Sequence, residues 1–238
     1  MSSKVILVLG AGPNVGLSIV KHFSENGYKT AAVSRNPTAE LSKIADLALS
    51  ADFSKPESIK LIFDEVKSKL GVPNVVVYNA YGNHMLADPF TVPLEGFIED
   101  NNINVVSAYS ALQQTIQGFK ELPKDTLKTF IYTGNAMLHL TVPLIMDLGL
   151  GKRATSFLIE NALQVYKDEG FRFYFGDERK EDGAPVHIEI DGQAHADYYY
   201  ELATSEKQGP WEATFVKGKG YVDFEGRVGV VPAMKPQQ

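Results

Sequence analysis

VILVLGAGPNVGLSIVKHFSENG, residues 5–27, decides the fold of this 238-residue chain. Residues 5–10 are apolar and rich in Val and Ile, as a strand buried on both faces must be. They lead into Gly10-Ala11-Gly12-Pro13-Asn14-Val15-Gly16, a turn that opens directly into a helix expected over Val15 to Asn26. Val15, Ile19, Val20 and Phe23 share one face of that helix, and Gly27 stands just past its end as a C-cap. A helix N-terminus offers unpaired N–H groups and the positive end of a dipole, which suits a diphosphate. Glycines let the backbone turn tightly and approach the phosphates. Gly10, Gly12, Asn14, Val15 and Gly16 are therefore the expected diphosphate cradle. The plainer alternative is a tight turn without a ligand.

Outward from this corner, strands and helices alternate. Residues 30–34, 47–53, 74–80 and 129–135 read as strands. Between them, helices are expected over 39–48, after a Ser54-x-x-Glu57 capping box, and over Leu94 to Phe119. A further helix is expected from Leu150 to Lys167. The last third is less regular. FRFYF (171–175) and HIEID (187–191) both read as strands, and the first is the better sixth strand of the main sheet. GDERKEDGAP (176–185) reads as a loop, AHADYYYELA (194–203) as a short helix, and WEATFV (211–216) as a last strand. The expectation is an α/β chain forming a single doubly wound Rossmann domain over 1–238. Its parallel sheet has about seven strands with helices on both faces. Residues 176–210 form a variable substrate-side loop region within it.

Composition narrows the function. Acids outnumber bases 29 to 23, giving a net charge of −6, and no basic stripe is present, which argues against nucleic acid as a partner. With 20 Gly and 12 Pro, the chain falls short of a low-complexity composition. The absence of cysteine excludes disulfides, thiolate metal sites and a thiol nucleophile, and fits a reducing, cytoplasmic setting. The first apolar run is too short for a signal-peptide core or a membrane span, so no membrane partner is expected.

Cofactor choice is read at the end of the second strand, where an acid would hold the 2′-hydroxyl of NAD. Here the residues are Ser34-Arg35-Asn36. A guanidinium is planar, always charged and forked, which suits a 2′-phosphate, so NADP is preferred over NAD. A solvated surface arginine is the alternative.

These residues together resemble the short-chain dehydrogenase/reductase family, in order over about residues 4–170 and more loosely over 192–217. The family's turn Thr-Gly-x-x-x-Gly-x-Gly appears as Leu9-Gly10-Ala11-Gly12-Pro13-Asn14-Val15-Gly16, with Asn14 at a glycine position; Asn tolerates positive φ better than most residues. Asp52-Phe53 falls where the family contacts the adenine. Asn79-Ala80 with Gly82 is similar to its Asn-Asn-Ala-Gly motif. Of the family's Asn-Ser-Tyr-Lys tetrad, the resemblance implies Asn104 for the Asn, Asn135 in place of the Ser, and Lys152 for the Lys. The Tyr position, four before the Lys, is Leu148. A branch of the family also lacks this Tyr and keeps the Lys. The resemblance implies catalytic roles for Asn104, Asn135 and Lys152, the last also holding the nicotinamide ribose. Family members pair through the matching helices, and the apolar faces of 105–112 and 154–163 permit a homodimer or homotetramer here without requiring one.

Leu148 has no proton to give, so the reaction is in question. The favoured reading is an NADP-dependent oxidoreductase with an atypical active site, acting on a small carbonyl or ene compound. Two alternatives stand beside it: an NADP(H)-binding sensor or pseudoenzyme without hydride transfer, and a non-redox enzyme such as a cyclase or isomerase. His84, His139, Tyr81 and Asp147 are conceivable substitute acids, with surface or core filling the simpler role of each. His187 and His195 with Glu189, Asp191 and Asp197 lack a recognisable ligand spacing, and no metal is expected. Tyr198 to Tyr200 and Trp211 would suit an apolar ligand or the core.

Overall fold

The computed structural model describes residues 4–230. Eight strands form one sheet: β1 (Val5–Leu9), β2 (Lys29–Ser34), β3 (Leu47–Ser50), β4 (Val75–Tyr78), β5 (Lys128–Thr133), β6 (Phe171–Arg179), β7 (Glu212–Val216) and β8 (Gly220–Tyr221). Their order is β3-β2-β1-β4-β5-β6-β7-β8. The first seven run parallel; β8, a two-residue edge strand beyond the expected seven, turns back antiparallel on β7. The order reverses between β1 and β4, and ligands of such sheets bind outside the carboxyl ends of the strands at that switch.

Among the described residues, seven α-helices cover the two faces: α1 (Val15–Glu25), α2 (Ala39–Ile44), α3 (Ser58–Lys69), α4 (Leu94–Asn101), α5 (Ser107–Glu121), α6 (Met146–Tyr166) and α7 (Gly192–Thr204). One core lies between the sheet and α3, α5 and α6, centred on Val76, Tyr78, Phe119, Phe130 and Ile159. The other lies under α1 and α7, around Ile19, Phe23, Val77, Tyr199 and Phe215. The β1 and β4 strands are buried at every position, which explains their unbroken apolar runs.

Several elements depart from the sequence reading. The helix expected from Leu94 to Phe119 is broken: a π turn, Asn102–Val106, separates α4 from α5. The fifth expected helix begins earlier, at Met146, so position 148 lies in its first turn. The Ser54–Glu57 capping box does not form. The Ser54 amide instead donates to Oδ1 of Asp52, and α3 starts at Ser58 without a side-chain cap. The sixth strand is indeed at 171, but it runs on through Arg179 into the charged stretch read as a loop. Inside the sheet, Asp177 and Arg179 pair at 2.6 Å, which lets both charges be buried. HIEID is not a strand; His187–Glu189 is a single 3₁₀ turn. The region 176–210 therefore consists of the end of β6, a connection over 180–191, and α7.

Candidate functional site

The corner after β1 is built from three close approaches. Gly10 takes φ +98°, and a Cβ there would lie 2.4 Å from the Ala80 nitrogen. Asn79 fixes the same approach by donating Nδ2 to the Gly10 carbonyl at 2.8 Å. Gly16 packs against Ala11, where a Cβ would lie 2.5 Å from Cα. Gly12 differs, because nothing lies within 4 Å of where its Cβ would be. Its glycine is not needed for packing, and a bare backbone facing open space is what a diphosphate needs. The first turn of α1 has no acid, and Asn14 makes no side-chain cap. The leading N–H groups of Val15 and Gly16 thus remain for an anion.

Asn14 does not use a left-handed conformation: its φ is −99°, which is why a non-glycine residue is accommodated there. Its Nδ2 donates instead to the Ile190 carbonyl at 3.0 Å, tying the corner to the start of α7. At the end of β2, Arg35 and Asn36 are exposed, and the buried Ser34 hydroxyl has no partner. The Asp52 carboxyl sits below its usual range, chiefly through the Ser54 amide, with Lys55 and Arg35 adding to it. Phe53 is otherwise committed. Its ring belongs to the core beside Tyr78, and its carbonyl accepts the Ser107 hydroxyl. The corner, the end of β2 and Asp52 fit a dinucleotide.

On the reaction side, Lys152 is buried and donates Nζ to the Thr133 carbonyl at 2.7 Å. Its ammonium lies 4.6 Å from the centre of the Tyr132 ring. Burial pushes the amine down to about 7, against the opposing pull of Asp177. Leu148, one turn earlier, is buried and apolar. Among the described residues, the tyrosine hydroxyls of Tyr132 and Tyr199 on this side are engaged elsewhere. Tyr132 reaches the Asn104 carbonyl at 3.4 Å, and Tyr199 from α7 reaches Thr133 Oγ1 at 3.1 Å and the Gly176 carbonyl at 3.2 Å.

Asn104 is fully buried in the π turn. Its Oδ1 accepts the Gly82 amide at 3.0 Å and its Nδ2 donates to the Gly82 carbonyl at 2.8 Å. Both ends of the side chain are used, so Asn104 clamps the loop after β4 rather than facing a substrate. Asn135 caps the 3₁₀ turn Ala136–Leu138 by accepting the Met137 amide at 3.0 Å. Among the described residues its Nδ2 has no protein acceptor.

Of the four substitute acids read from the sequence, two come together. The His84 amide donates to Asp147 Oδ2 at 2.7 Å, and the Leu148 amide donates to the other oxygen at 2.8 Å. The His84 ring places Nδ1 2.5 Å from Asp100 Oδ2. Tyr81 is exposed and His139 pairs with Glu212 at 2.7 Å, so neither joins them. Asp100 escaped the sequence reading, although its spacing of four from Asn104 put both on one helix face. The group around His187 and His195 does not converge: Glu189 pairs with Lys180, Asp191 with Lys217 and Asp197 with His22. Beside the first turn of α6, Phe90, Leu94, Phe97, Met146 and Leu150 line an apolar cavity of about 350 Å³.

The sequence model of the family described as short chain dehydrogenase matches residues 4–125. A relative from Cryptosporiopsis sp. (strain 8999), the short chain dehydrogenase/reductase dmxR12, is 40% identical over 240 residues, covering 94% of this chain and 96% of its own. The chain belongs to the short-chain dehydrogenase/reductase family. Solved structures of the family share the fold at low identity. The 3-ketoacyl-(acyl-carrier-protein) reductase of Brucella melitensis, complexed with NADH, superposes with a TM-score of 0.79 at 20% identity, covering 90% of this chain and 97% of its own. A metagenomic short-chain oxidoreductase in complex with NADP gives 0.79 at 17% identity, with the same coverage. Among the described residues of this family member, no helix is long and apolar enough to cross a membrane.

Proposed function

We propose that the chain is an NADP-dependent oxidoreductase acting on a small carbonyl or ene compound. The observation that carries this reading is the open glycine corner, flanked by Arg35 and an unpartnered Ser34 hydroxyl where an acid would select NAD. Gly12, Val15 and Gly16 hold the diphosphate. Ser34, Arg35 and Asn36 receive the 2′-phosphate, and Asp52 faces the adenine. Lys152 and Asn79 border the nicotinamide ribose. When bound, the reduced cofactor supplies a hydride. Lys152 stays near its neutral point at physiological pH, so it donates a hydrogen bond to a ribose hydroxyl without holding a full buried charge. The free Nδ2 of Asn135 is a donor for a developing oxyanion. The chain works on a small molecule, as a homodimer or homotetramer, and its lack of cysteine suits the cytoplasm.

A second reading, nucleotide binding without turnover, is favoured by one observation: Leu148 stands where the proton donor would be. Thermal unfolding with NADPH and with NADH tests the first part, since a ligand of the native state raises the melting temperature. NADPH oxidation across a panel of ketones, aldehydes and enones tests the second. A rise with NADPH and turnover of a panel member supports the oxidoreductase. A rise without turnover selects the binding protein. No rise with either nucleotide overturns both.

A further inference from the structure

Loss of the phenol leaves a question of proton supply, and the loop after β4 answers it. His84 is fixed at both ends of its residue. Its amide is held by Asp147, and its ring by Asp100. The same Asp147 carboxylate holds the main-chain amide of Leu148, so one buried group ties the backbone of residue 84 to the backbone at the tyrosine position and lies 3.6 Å from the imidazole Nδ1. The loop cannot drift, because Asn104 grips Gly82 through both amide ends. Asn104 itself packs on Gly151, the residue before Lys152, where a Cβ would lie 2.4 Å from its own. The ring also needs a bare neighbour: a Cβ on Gly96 would lie 2.8 Å from both Cε1 and Nε2. Asp100 and Asp147 are buried, whereas 38% of the His84 side chain is exposed, so the cluster opens to solvent through the imidazole.

We propose that His84 donates the proton in this enzyme's reduction step, with Asp100 and Asp147 as its positioning residues. This rests on the oxidoreductase reading above. As the carbonyl carbon accepts a hydride from the reduced nicotinamide, the C=O π pair moves onto oxygen. An O–H bond forms there as the Nε2–H bond of the imidazolium breaks. The products are the alcohol, the oxidised nicotinamide and a neutral imidazole, which takes its next proton from water at the exposed edge of the ring. A buried carboxylate on Nδ1 fixes the ring and stabilises the cation, as in other His–Asp pairs. The charged groups acting on the ring are Asp100 and Glu99 of α4 and Asp147 of α6. All three are acids and all favour the protonated form, so the imidazole is raised above its ordinary value, first by the Asp100 hydrogen bond. Asp100 is itself raised to about 6 by burial and by its neighbour Asp147. The three donor atoms lie within 4.8 Å of one another, but 2.5 Å between Nδ1 and Oδ2 is the span of a shared proton. Two ligands on one zinc, each about 2.0–2.2 Å from it, stand farther apart than that.

The test compares wild type with His84→Gln, Asp100→Asn and Gly96→Ala, using NADPH with acetophenone and with 9,10-phenanthrenequinone. Loss of the acid lowers kcat for the better probe by about 10²–10⁴-fold in His84→Gln. NADPH affinity, read by fluorescence titration, stays within about twofold. The alkaline limb of the wild-type kcat profile disappears in His84→Gln and moves to lower pH in Asp100→Asn. Gly96→Ala keeps the imidazole but displaces it, so kcat falls with the melting temperature unchanged. Independently of turnover, one histidine Cε1–H resonance titrates above the ordinary value and is lost in His84→Gln. Adding Leu148→Tyr to His84→Gln restores turnover by supplying a phenol beside Lys152. An unchanged pH profile in His84→Gln, or micromolar Zn²⁺ binding that is lost in His84→Gln, overturns the assignment. Wild type that fails to bind NADPH, or that binds it but turns over neither probe, is a different result, and it overturns the oxidoreductase reading first and the assignment with it.

Discussion

Lys152 donates its ammonium to the main-chain carbonyl of Thr133 at 2.7 Å. A long side chain thus ends inside the fold, with its partners drawn from β5 rather than from solvent. The fold lowers this amine to about 7 from 10.5. Between those values the unfolded chain binds the extra proton, so stability rises as pH climbs from about 7. The Lys152 contribution to the melting temperature therefore grows between pH 7 and 9, against the opposite contribution of the raised His84 imidazole. Replacement by Met flattens that rise and weakens NADPH binding, both measurable by thermal unfolding with and without nucleotide.

Glycine substitutions separate architecture from ligand binding. Gly10→Ala forces a positive-φ residue and a 2.4 Å clash with Ala80, so it costs about 2 kcal/mol or more and lowers the melting temperature by several degrees. Gly12→Ala meets no protein atom, so its melting temperature without ligand stays within about 2 °C. Its NADPH affinity nevertheless falls by about tenfold or more. Thermal unfolding and nucleotide titration of the two variants check the contrast.

The proposed preference for NADP is tested most directly at Arg35, the charged side chain among the three residues assigned to the 2′-phosphate. Exchanging Arg35 for Asp removes a guanidinium and introduces a carboxylate where the 2′-phosphate would lie. NADPH binding weakens by about 10–100-fold, or about 1.4–2.8 kcal/mol, while NADH binding holds or improves. Dissociation constants for both nucleotides at fixed ionic strength decide it.

Asn74 shows how one amide serves the sheet. Its Oδ1 accepts the Val5 amide at 2.8 Å and its Nδ2 donates to the Leu127 carbonyl at 3.0 Å. Asn74→Ala leaves both groups unpaired near the edge of the core and costs about 1–3 kcal/mol. Urea unfolding, compared at equal slope, measures the loss.

The outer faces of α5 and α6 carry Tyr109 and Phe157, both more than half exposed. If these faces pair in an assembly, Phe157→Glu produces a monomer in sedimentation experiments while its circular dichroism is unchanged.

Where apolar period and turn chemistry agreed, the sequence was informative. Val5–Leu9 and Val75–Tyr78 are buried on both faces, so their runs admit little other than central strands. The helix after the glycine corner stops within one residue of its expected end because Gly27 sits at φ +78°. The strand through Arg179 was hidden because its charges are paired inside the sheet, and composition does not record pairing. The π turn was hidden because apolar residues continue through it. At the site, the resemblance put Leu148 at the tyrosine position, and the strand–turn–helix context marked the glycine corner. The resemblance implied a catalytic role for Asn104, whereas both ends of its side chain are occupied with Gly82. Asp100 was missed because its partner His84 is sixteen residues away, across a loop whose course no local pattern gives.

The π turn at Asn102–Val106 also limits what this chain can lose. A wide turn accommodates one more residue than an α-helical turn over the same path. Deleting a single residue there would let α4 and α5 fuse into one regular rod. Ala108, Ala111, Leu112 and Phe119 would keep their places on the sheet, as would Asp100, because the residue removed is the one that the wide turn had absorbed. The cost of such a deletion would fall on the grip of Asn104 on Gly82, and the footing of α5 on the sheet would be spared.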